Sequence, residues 1–314
     1  MRRFVAGKGE NVQAAQALSQ PEIRLRQRPR LLWLRSLLRS PVGLLGAFLV
    51  VIVVITAITA PVIAPHDPTK LNLRSRLLPP AWDSEGDPRF LLGTDQLGRD
   101  LLSRLIYGSR VSLIVGILGV AVSLVVGVFL GLVSGYFGGA TDNVISRFVD
   151  TFMAVPFIVL AMAVIGVLGP KGANLVALIV VLGLVNWVTF ARVVRGEVLS
   201  VKTRDYIEAA RCIGQRDAVI ILRHVLPNVT ASIIVLATLQ VATVIIAESS
   251  LSFLGLGVQP PTVTWGIMLA EGRDHLATSW WLATFPGIAI SLTVLGIILW
   301  GDWLRDVLDP RQKT

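Results

Sequence analysis

The chain has little charge and little cysteine: 16% of its 314 residues are charged, and Cys212 is the single cysteine. One cysteine excludes an internal disulfide framework and a cysteine-cluster metal site. Soluble domains carry about 25% charged residues. The shortage of charge, together with 54% hydrophobic residues and a mean hydropathy of +0.70, disfavours a soluble globule and excludes a disordered chain. The histidines are far apart in sequence, so we predict no metal site; they are His66, His224 and His275.

Several catalytic and nucleotide-binding motifs are also missing. The chain has no G-x-x-x-x-G-K-[ST], and its one Gly-Lys pair, Gly7-Lys8, lacks that frame. A P-loop for nucleotide is therefore not expected on this chain. Neither G-x-S-x-G nor H-E-x-x-H occurs, so an embedded hydrolase or metalloprotease is unsupported and we predict a non-enzymatic protein.

Long uncharged stretches dominate what is present. A helix of about 20 apolar residues crosses a membrane, and we predict an all-α integral membrane protein. Residues 249–270 are also uncharged, but glycines and prolines in their middle would leave backbone groups unsatisfied in lipid, so we expect a structured loop there. We expect Pro156 and Pro286 to kink the spans that contain them. The six predicted spans are about 42–63, 111–135, 148–168, 173–194, 229–252 and 281–303.

The distribution of basic residues predicts sidedness. If the N-terminus is cytoplasmic, the inner segments hold 20 of the 29 Lys and Arg residues. Excess Lys and Arg mark the cytoplasmic side of a membrane protein, so we predict that both termini of this lipid-embedded chain are cytoplasmic. The net positive charge is then explained by membrane topology, and we predict no nucleic-acid partner. The carboxylates in or beside the spans are few, namely Asp150, Glu248 and Asp302. Ion-driven carriers place ionisable groups inside the bundle, so the energy source is predicted to lie on other chains.

Two further patterns predict local structure. Gly127, Gly131 and Gly135 lie on one face of the second span and permit close approach of another helix, for which internal packing is favoured over a subunit interface. Residues 97–106 place leucines on one helical face and charges on the other, which predicts an amphipathic helix capped by Asp95. Such a helix lies either at the membrane interface or packed in a small outer domain.

The most informative stretch is 191–228, which is too polar to cross a membrane and too long for a simple turn. Gly214 lies where a first short helix should end in a left-handed conformation and the chain reverse. We predict a cytoplasmic helix–glycine–helix hairpin that serves as a docking device.

This stretch resembles the EAA loop of ABC-importer permeases in Glu208, Ala209, Ala210, Gly214, Leu226 and Pro227. His224 stands where the family pattern has isoleucine. Three other segments are similar to the dipeptide/oligopeptide branch of this family: GTDQLGRDLLSRLIYGSRVSL at 93–113, ESSLSFLGLGVQPPTVTWGIML at 248–269 and GDWLRDVLDP at 301–310. A fourth segment, LLPPAW at 77–82, is similar to the dipeptide-type members of that branch.

The resemblance implies a type I ABC-importer permease fold and a set of partner proteins. These are a second, homologous permease chain, two cytoplasmic ATPases that bind ATP and Mg, and an extracytoplasmic solute-binding protein, all at a bacterial inner membrane. No cofactor is implied on this chain. The motifs leave the cargo open among dipeptides, oligopeptides, glutathione, opines and nickel. The implied segments are a basic tail (1–39), a first anchor (40–65), a periplasmic segment with an interfacial helix (66–109), a five-span core (110–304) with coupling loop 196–228, and a tail (305–314).

Two other classes stay open from the residues alone. A secondary transporter or channel is supported by the number of spans. An embedded enzyme or assembly scaffold has no candidate catalytic groups.

Overall fold

The computed structural model describes residues 36–172, 174–259 and 261–308. The chain forms two units, Met1–Arg39 and Ser40–Thr314. Of the first unit, only 36–39 are described, and they are helical. Most of the predicted N-terminal tail and residues 309–314 lie outside the described residues. In the described part, the one extended pairing is an isolated bridge between Thr94 and Asp100.

The second unit is a helical bundle. Its helices are α1 (Pro41–Ile63), α2 (Leu101–Phe137), α3 (Gly139–Ala154), α4 (Phe157–Gly172), α5 (Leu175–Val201), α6 (Asp205–Cys212), α7 (Asp217–Ile220), α8 (Leu226–Phe253), α9 (Trp265–Arg273) and α10 (Trp281–Leu308), with a 3₁₀ turn at Leu73–Ser75 and a π turn at Ile221–Val225 that joins α7 to α8.

Five helical segments are long and apolar enough to cross a membrane, and a bent pair makes up to six. The five are α1, α2, α5, the continuous stretch Asp217–Phe253, and α10. The predicted all-helical architecture is therefore confirmed, and the six predicted spans are reached when the bent pair is counted as one span. Three predicted elements differ in detail.

The third predicted span, 148–168, is not one helix. α3 ends at Ala154, and the chain turns by 87° before Phe157–Val167 continues. Pro156 lacks the N–H that would extend α3, so the expected kink is a complete break. A bidentate ion pair holds α3 beside α5, because Arg195 Nε and Nη2 lie 2.6 and 2.7 Å from the Asp142 carboxylate.

The predicted amphipathic helix at 97–106 was wrong as a separate element. Residues 97–100 form a turn, and the helix begins at Leu101 with Asp100 as its cap, since Asp100 Oδ2 accepts a hydrogen bond from Ser103 N at 2.9 Å. Asp95 instead accepts hydrogen bonds from backbone N–H groups inside that turn. α2 then runs unbroken through the span, so the boundary expected at 109/110 falls inside a helix.

The expected loop at 249–270 is shorter than predicted. α8 continues to Phe253, and α9 begins at Trp265 with Thr264 as its cap. Gly255, Gly257 and Pro261 therefore lie in the connection between the two helices. Likewise, the boundary expected at 304/305 falls within α10, which reaches Leu308.

The central contact of the bundle is between α2 and α5. An added Cβ at Gly127 would lie 2.4 Å from Trp187 O, and one at Gly131 would lie 2.7 Å from Ala191 O. Gly135 meets Val198 in the same way, at 2.8 Å. The glycine stripe thus faces α5 within this chain, which is the internal packing that was favoured over a subunit interface.

Candidate functional site

The candidate site is the hairpin formed by residues 202–225, between α5 and α8. Its α6 buries Ile207 and Ala210 against the bundle. The opposite face of α6 carries exposed side chains at positions i, i+3, i+4 and i+7. These outward residues, called the hairpin face below, are Asp205, Glu208, Ala209 and Cys212.

The resemblance groups Ala209 and Ala210 in one coupling loop, whereas the structure places their side chains on opposite faces of α6. Ala210 is 5% exposed and belongs to an apolar cluster with Ile207, Val198 and Val229. Successive helical residues differ by 100°, so two adjacent alanines cannot both face one partner squarely. Ala210 therefore seats the hairpin on the bundle, while Ala209 and Glu208 face outward.

Gly214 has the left-handed conformation predicted for it, with φ of +77°. Gly214 N donates to Arg211 O at 2.9 Å, and Gln215 N donates to Ala210 O at 3.2 Å. These two bonds form a Schellman motif, which ends a helix by satisfying its last carbonyls. The space around Gly214 is open, so backbone conformation and not crowding favours glycine here.

Leu226 and Pro227 mark the start of α8. Pro227 lies in its first turn, where a missing N–H is tolerated. The residues just before it form a π turn, in which Leu226 N donates to Ile221 O five residues back. Pro227 has no backbone N–H and so cannot donate the hydrogen bond that a helical residue normally makes to the preceding turn. The wider π turn accommodates this missing hydrogen bond. His224 lies in that turn, with its Nε2 3.1 Å from Gln215 Oε1.

The hairpin also touches the end of α2. Tyr136 donates its hydroxyl to Asp217 Oδ1 at 2.7 Å, and the Arg211 guanidinium lies 5.1 Å from the centre of the Tyr136 ring. Beside these contacts is a cleft of about 430 Å³ that Glu208 and Lys202 also line. A charged, accessible cleft next to the hairpin face suits a polar protein partner better than an apolar ligand.

A cluster of buried charges occupies the opposite end of the bundle, and the sequence did not predict it. Asp95 is 2% exposed and Arg104 is 2% exposed, and the two form an ion pair. Arg99 Nε lies 2.6 Å from Asp95 Oδ2, while Arg104 Nη1 lies 2.6 Å from Glu271 Oε2. We call these four residues, Asp95, Arg99, Arg104 and Glu271, the acid–arginine cluster.

This cluster ties the segment before α2 to α9. Indole donors add to the same junction: Trp265 Nε1 donates to Leu105 O at 2.9 Å, and Trp281 Nε1 donates to Thr94 O at 3.2 Å. The pattern of 97–106 left open whether its charged face lies at the membrane interface or packed in a small outer domain, and the structure pairs Arg99 and Arg104 with Glu271. The sequence pattern could not show this pairing, because Glu271 is 167 residues away from Arg104 along the chain.

Glu248, one of the few carboxylates in the spans, is fully buried near the end of α8. It accepts a hydrogen bond from Ser252 Oγ at 2.8 Å. Within the described ranges, no three His, Cys, Asp or Glu side chains lie close enough together to hold a metal ion. Of the described histidines, His66 lies near Asp100 at 3.4 Å.

The helix bundle, with a polar hairpin at one end and the acid–arginine cluster at the other, is that of a multi-span membrane protein. Comparison with known proteins gives the family. A model of the binding-protein-dependent transport system inner membrane component matches residues 127–314, and one of the N-terminal transmembrane domain of oligopeptide transport permease C matches 30–80. The chain belongs to the binding-protein-dependent ABC permease family.

Curated relatives match most of the chain. It is 43% identical over 273 residues to the di/tripeptide transport system permease protein DppC of Pseudomonas aeruginosa, covering 87% of this chain and 89% of that one. It is 41% identical over 271 residues to the dipeptide transport system permease protein DppC of Haemophilus influenzae, covering 86% and 91%. The glutathione transport system permease protein GsiD of Pectobacterium atrosepticum is 40% identical over 281 residues, covering 89% and 90%.

A solved structure shares the fold. An inward-facing form of the MetNI methionine ABC transporter superposes with a TM-score of 0.55 at 22% identity, covering 66% of this chain and 96% of the matched chain. The predicted type I ABC-importer permease fold is thereby confirmed.

Proposed function

We propose that this chain is one half of the transmembrane pathway of an ABC importer for short peptides. The observation that carries the proposal is the hairpin, whose outward face presents Glu208 and Ala209 while Ile207 and Ala210 anchor it to the bundle. Relatives named as dipeptide and di/tripeptide permeases at 41–43% identity support the peptide cargo. The relative named for glutathione, itself a small peptide-like solute, agrees with that chemical class.

In the proposed assembly, this chain works with partner chains that have three different tasks. A second, homologous permease completes the pathway, two ATPases dock on the cytoplasmic side, and a solute-binding protein delivers cargo on the other side. This chain carries no cofactor, and ATP and Mg bind to the ATPases. The excess of Lys and Arg in one set of segments supports a topology with both termini and the hairpin in the cytoplasm and the 66–100 segment outside, in a bacterial inner membrane. Lipid, and not nucleic acid, surrounds the spans.

The mechanism is coupling and not covalent chemistry. ATP binding draws the two ATPases together, and each hairpin moves with the ATPase that holds it. The hairpin is packed on the ends of α2, α5 and α8 through one apolar cluster, so its displacement shifts those helices together. The bundle then alternates between inward- and outward-open states, which is the two-state element that such coupling needs.

Reconstitution tests the function directly. The complete set of chains in proteoliposomes, supplied with binding protein and a labelled dipeptide, should accumulate peptide only when ATP is present on the ATPase side. The chain alone should move no peptide under a proton or sodium gradient. Gradient-driven peptide uptake by the chain alone would replace the importer with a secondary transporter.

Substitutions in the hairpin should abolish transport without removing the protein from the membrane. Gly214→Val forces a β-branched residue into a left-handed conformation, at about 1–2 kcal/mol of local strain, and Glu208→Arg reverses the charge at one of the two acidic positions of the hairpin face. Both variants should insert normally, retain ATPase subunits poorly or hydrolyse ATP without uptake, and lose peptide import.

Matched variants serve as controls for this prediction. Gly214→Asn introduces a residue that tolerates the left-handed conformation, so this variant should retain most of the transport activity. Glu85→Arg makes the same charge reversal at an exposed site in the 66–100 segment and should leave ATPase retention unchanged. Full uptake with normal ATPase retention in both Gly214→Val and Glu208→Arg would remove the coupling role from the hairpin.

A further inference from the structure

Tyr136 is a buried tyrosine in the last turn of α2 whose hydroxyl reaches out of that helix. It is 5% exposed, and its hydroxyl donates to Asp217 Oδ1 at 2.7 Å. Buried tyrosine hydroxyls need a hydrogen-bond partner, and this one finds a carboxylate on α7, in the second half of the hairpin. Hydrogen bonds to charged groups are about twice as strong as neutral ones.

Two cations of the hairpin reinforce the same contact. Lys202 Nζ donates to Gly135 O at 2.8 Å, satisfying a carbonyl at the C-terminus of α2 where a positive charge is also favoured by the helix dipole. Arg211, near the end of α6, lies 5.1 Å from the centre of the Tyr136 ring, within the range of a cation–π interaction. Residues from both halves of the hairpin therefore contact the last turn of α2.

α2 is placed to carry a movement from one end of the bundle to the other. It spans 37 residues without a break, a length of about 55 Å at 1.5 Å per residue. Its last turn holds Tyr136, and its first turn holds Arg104 of the acid–arginine cluster. The hairpin is not covalently adjacent to α2, since its own neighbours in the chain are α5 and α8. Side-chain contacts must make this connection.

We propose that Tyr136 is a positioning residue for coupling: with Asp217, Arg211 and Lys202 it latches the hairpin to α2, so that ATPase movement reaches the opposite end of the bundle. The proposal rests on the proposed function of the hairpin as the ATPase contact. It adds a polar contact by which α2 receives the movement, beside the apolar cluster, and it adds a residue outside the hairpin to the coupling apparatus.

Tyr136→Phe tests the latch because it removes one hydroxyl and keeps the ring under Arg211. In the full complex we expect normal ATPase retention, ATP hydrolysis within about twofold of the wild type, and peptide imported per ATP hydrolysed reduced at least about fivefold, the lower end of usual coupling factors. In the full chain alone, in lipid nanodiscs, the amides of 205–217 should exchange with deuterium faster than in the wild type.

Three comparison variants separate the latch from a general structural role. Tyr107→Phe removes a hydroxyl near the other end of α2. It should leave both the amount of peptide imported per ATP and the deuterium exchange of the hairpin amides unchanged. Asp217→Asn keeps an acceptor but loses the charge, so its coupling should lie between that of the wild type and that of Asp217→Ala, which should reproduce Tyr136→Phe. The double variant Tyr136→Phe/Asp217→Ala should be no worse than either single one, because both remove one interaction.

The two readouts distinguish the latch from the function on which it rests. Hairpin exchange unchanged by Tyr136→Phe overturns the latch, whatever the complex transports. Faster exchange with an unchanged import-to-hydrolysis ratio also overturns it, since the contact would then be structural only. Absence of ATP-driven uptake by the wild-type complex would count against the proposed function, while the nanodisc exchange would still report on the contact itself.

Discussion

Replacing Gly127 with alanine is expected to destabilise the folded bundle and to reduce the amount of properly folded protein recovered from membranes. The new Cβ would lie 2.4 Å from Trp187 O and 2.5 Å from Phe190 Cβ. A backbone carbonyl cannot rotate away as a flexible side chain can, so α2 and α5 must separate. Overpacking of this kind costs about 1–3 kcal/mol, and here it acts on the most extensive helix contact in the bundle.

Gly196→Ala is the matched control for this substitution. Gly196 lies in the interior of α5, and an added Cβ there meets nothing within 4 Å, so the change should be neutral or slightly stabilising through helix propensity. The measurement is the fraction of each variant that stays monodisperse after heating in detergent. Equal heat resistance of Gly127→Ala and Gly196→Ala would show that α2 and α5 do not approach as closely as described.

The second large effect is expected at the acid–arginine cluster. Asp95→Asn keeps the size of the side chain but leaves Arg99 and Arg104 with a single carboxylate, Glu271, between them. Removing one partner of a buried ion pair costs about 3–5 kcal/mol, because the remaining charge stays buried without full compensation. We expect strongly reduced folded yield and loosening of the segment before α2, detected as protease sensitivity within 66–100.

An exposed pair of the same residue types is the control. Asp87 and Arg89 form an ion pair 2.6 Å apart, in which the Arg89 side chain is 71% exposed. Exposed pairs contribute little, so Asp87→Asn should leave yield and protease resistance unchanged. If Asp95→Asn behaves like Asp87→Asn, the cluster is not a determinant of the fold at that end of the molecule.

The sequence was sufficient for those parts of the fold that depend on local pattern. Uncharged stretches located the spans, because a lipid environment requires apolar length regardless of tertiary contacts. The glycine spacing of four in α2 predicted a close helix contact, and Gly214 predicted the turn of the hairpin. In each case the structural feature is determined by residues that lie within a few positions of the sequence pattern that predicts it.

Features that depend on distant partners were not predictable. The pattern around Arg99 left two placements open, at the membrane interface or packed in a small outer domain, because nothing nearby in sequence indicated that Glu271 would neutralise the charges. Pro156 was expected to kink one span, but the chain turns by 87° there, and α3 is joined to α5 by the Asp142–Arg195 ion pair, whose partners are far apart in sequence. Ala210 was grouped with Ala209 by motif, and only the packing of α6 on the bundle separates their roles.

The position of Tyr136 shows the same limit of local pattern. In sequence it is an aromatic residue near the end of a long span, where aromatic residues commonly mark the membrane interface. Its hydrogen-bond partner Asp217 is 81 residues further along the chain. No periodicity connects the two, so the latch emerges only when the hairpin is folded back onto α2.

The most direct test of the docking claim uses the one native cysteine, Cys212, which is exposed on the hairpin face. A membrane-impermeant maleimide should leave Cys212 unlabelled in intact cells and label it in inside-out vesicles that contain the permease chains without ATPases. Adding the ATPase subunits should protect it. Labelling in intact cells would place the hairpin on the wrong side of the membrane, and labelling that the ATPases do not reduce would contradict docking at this face.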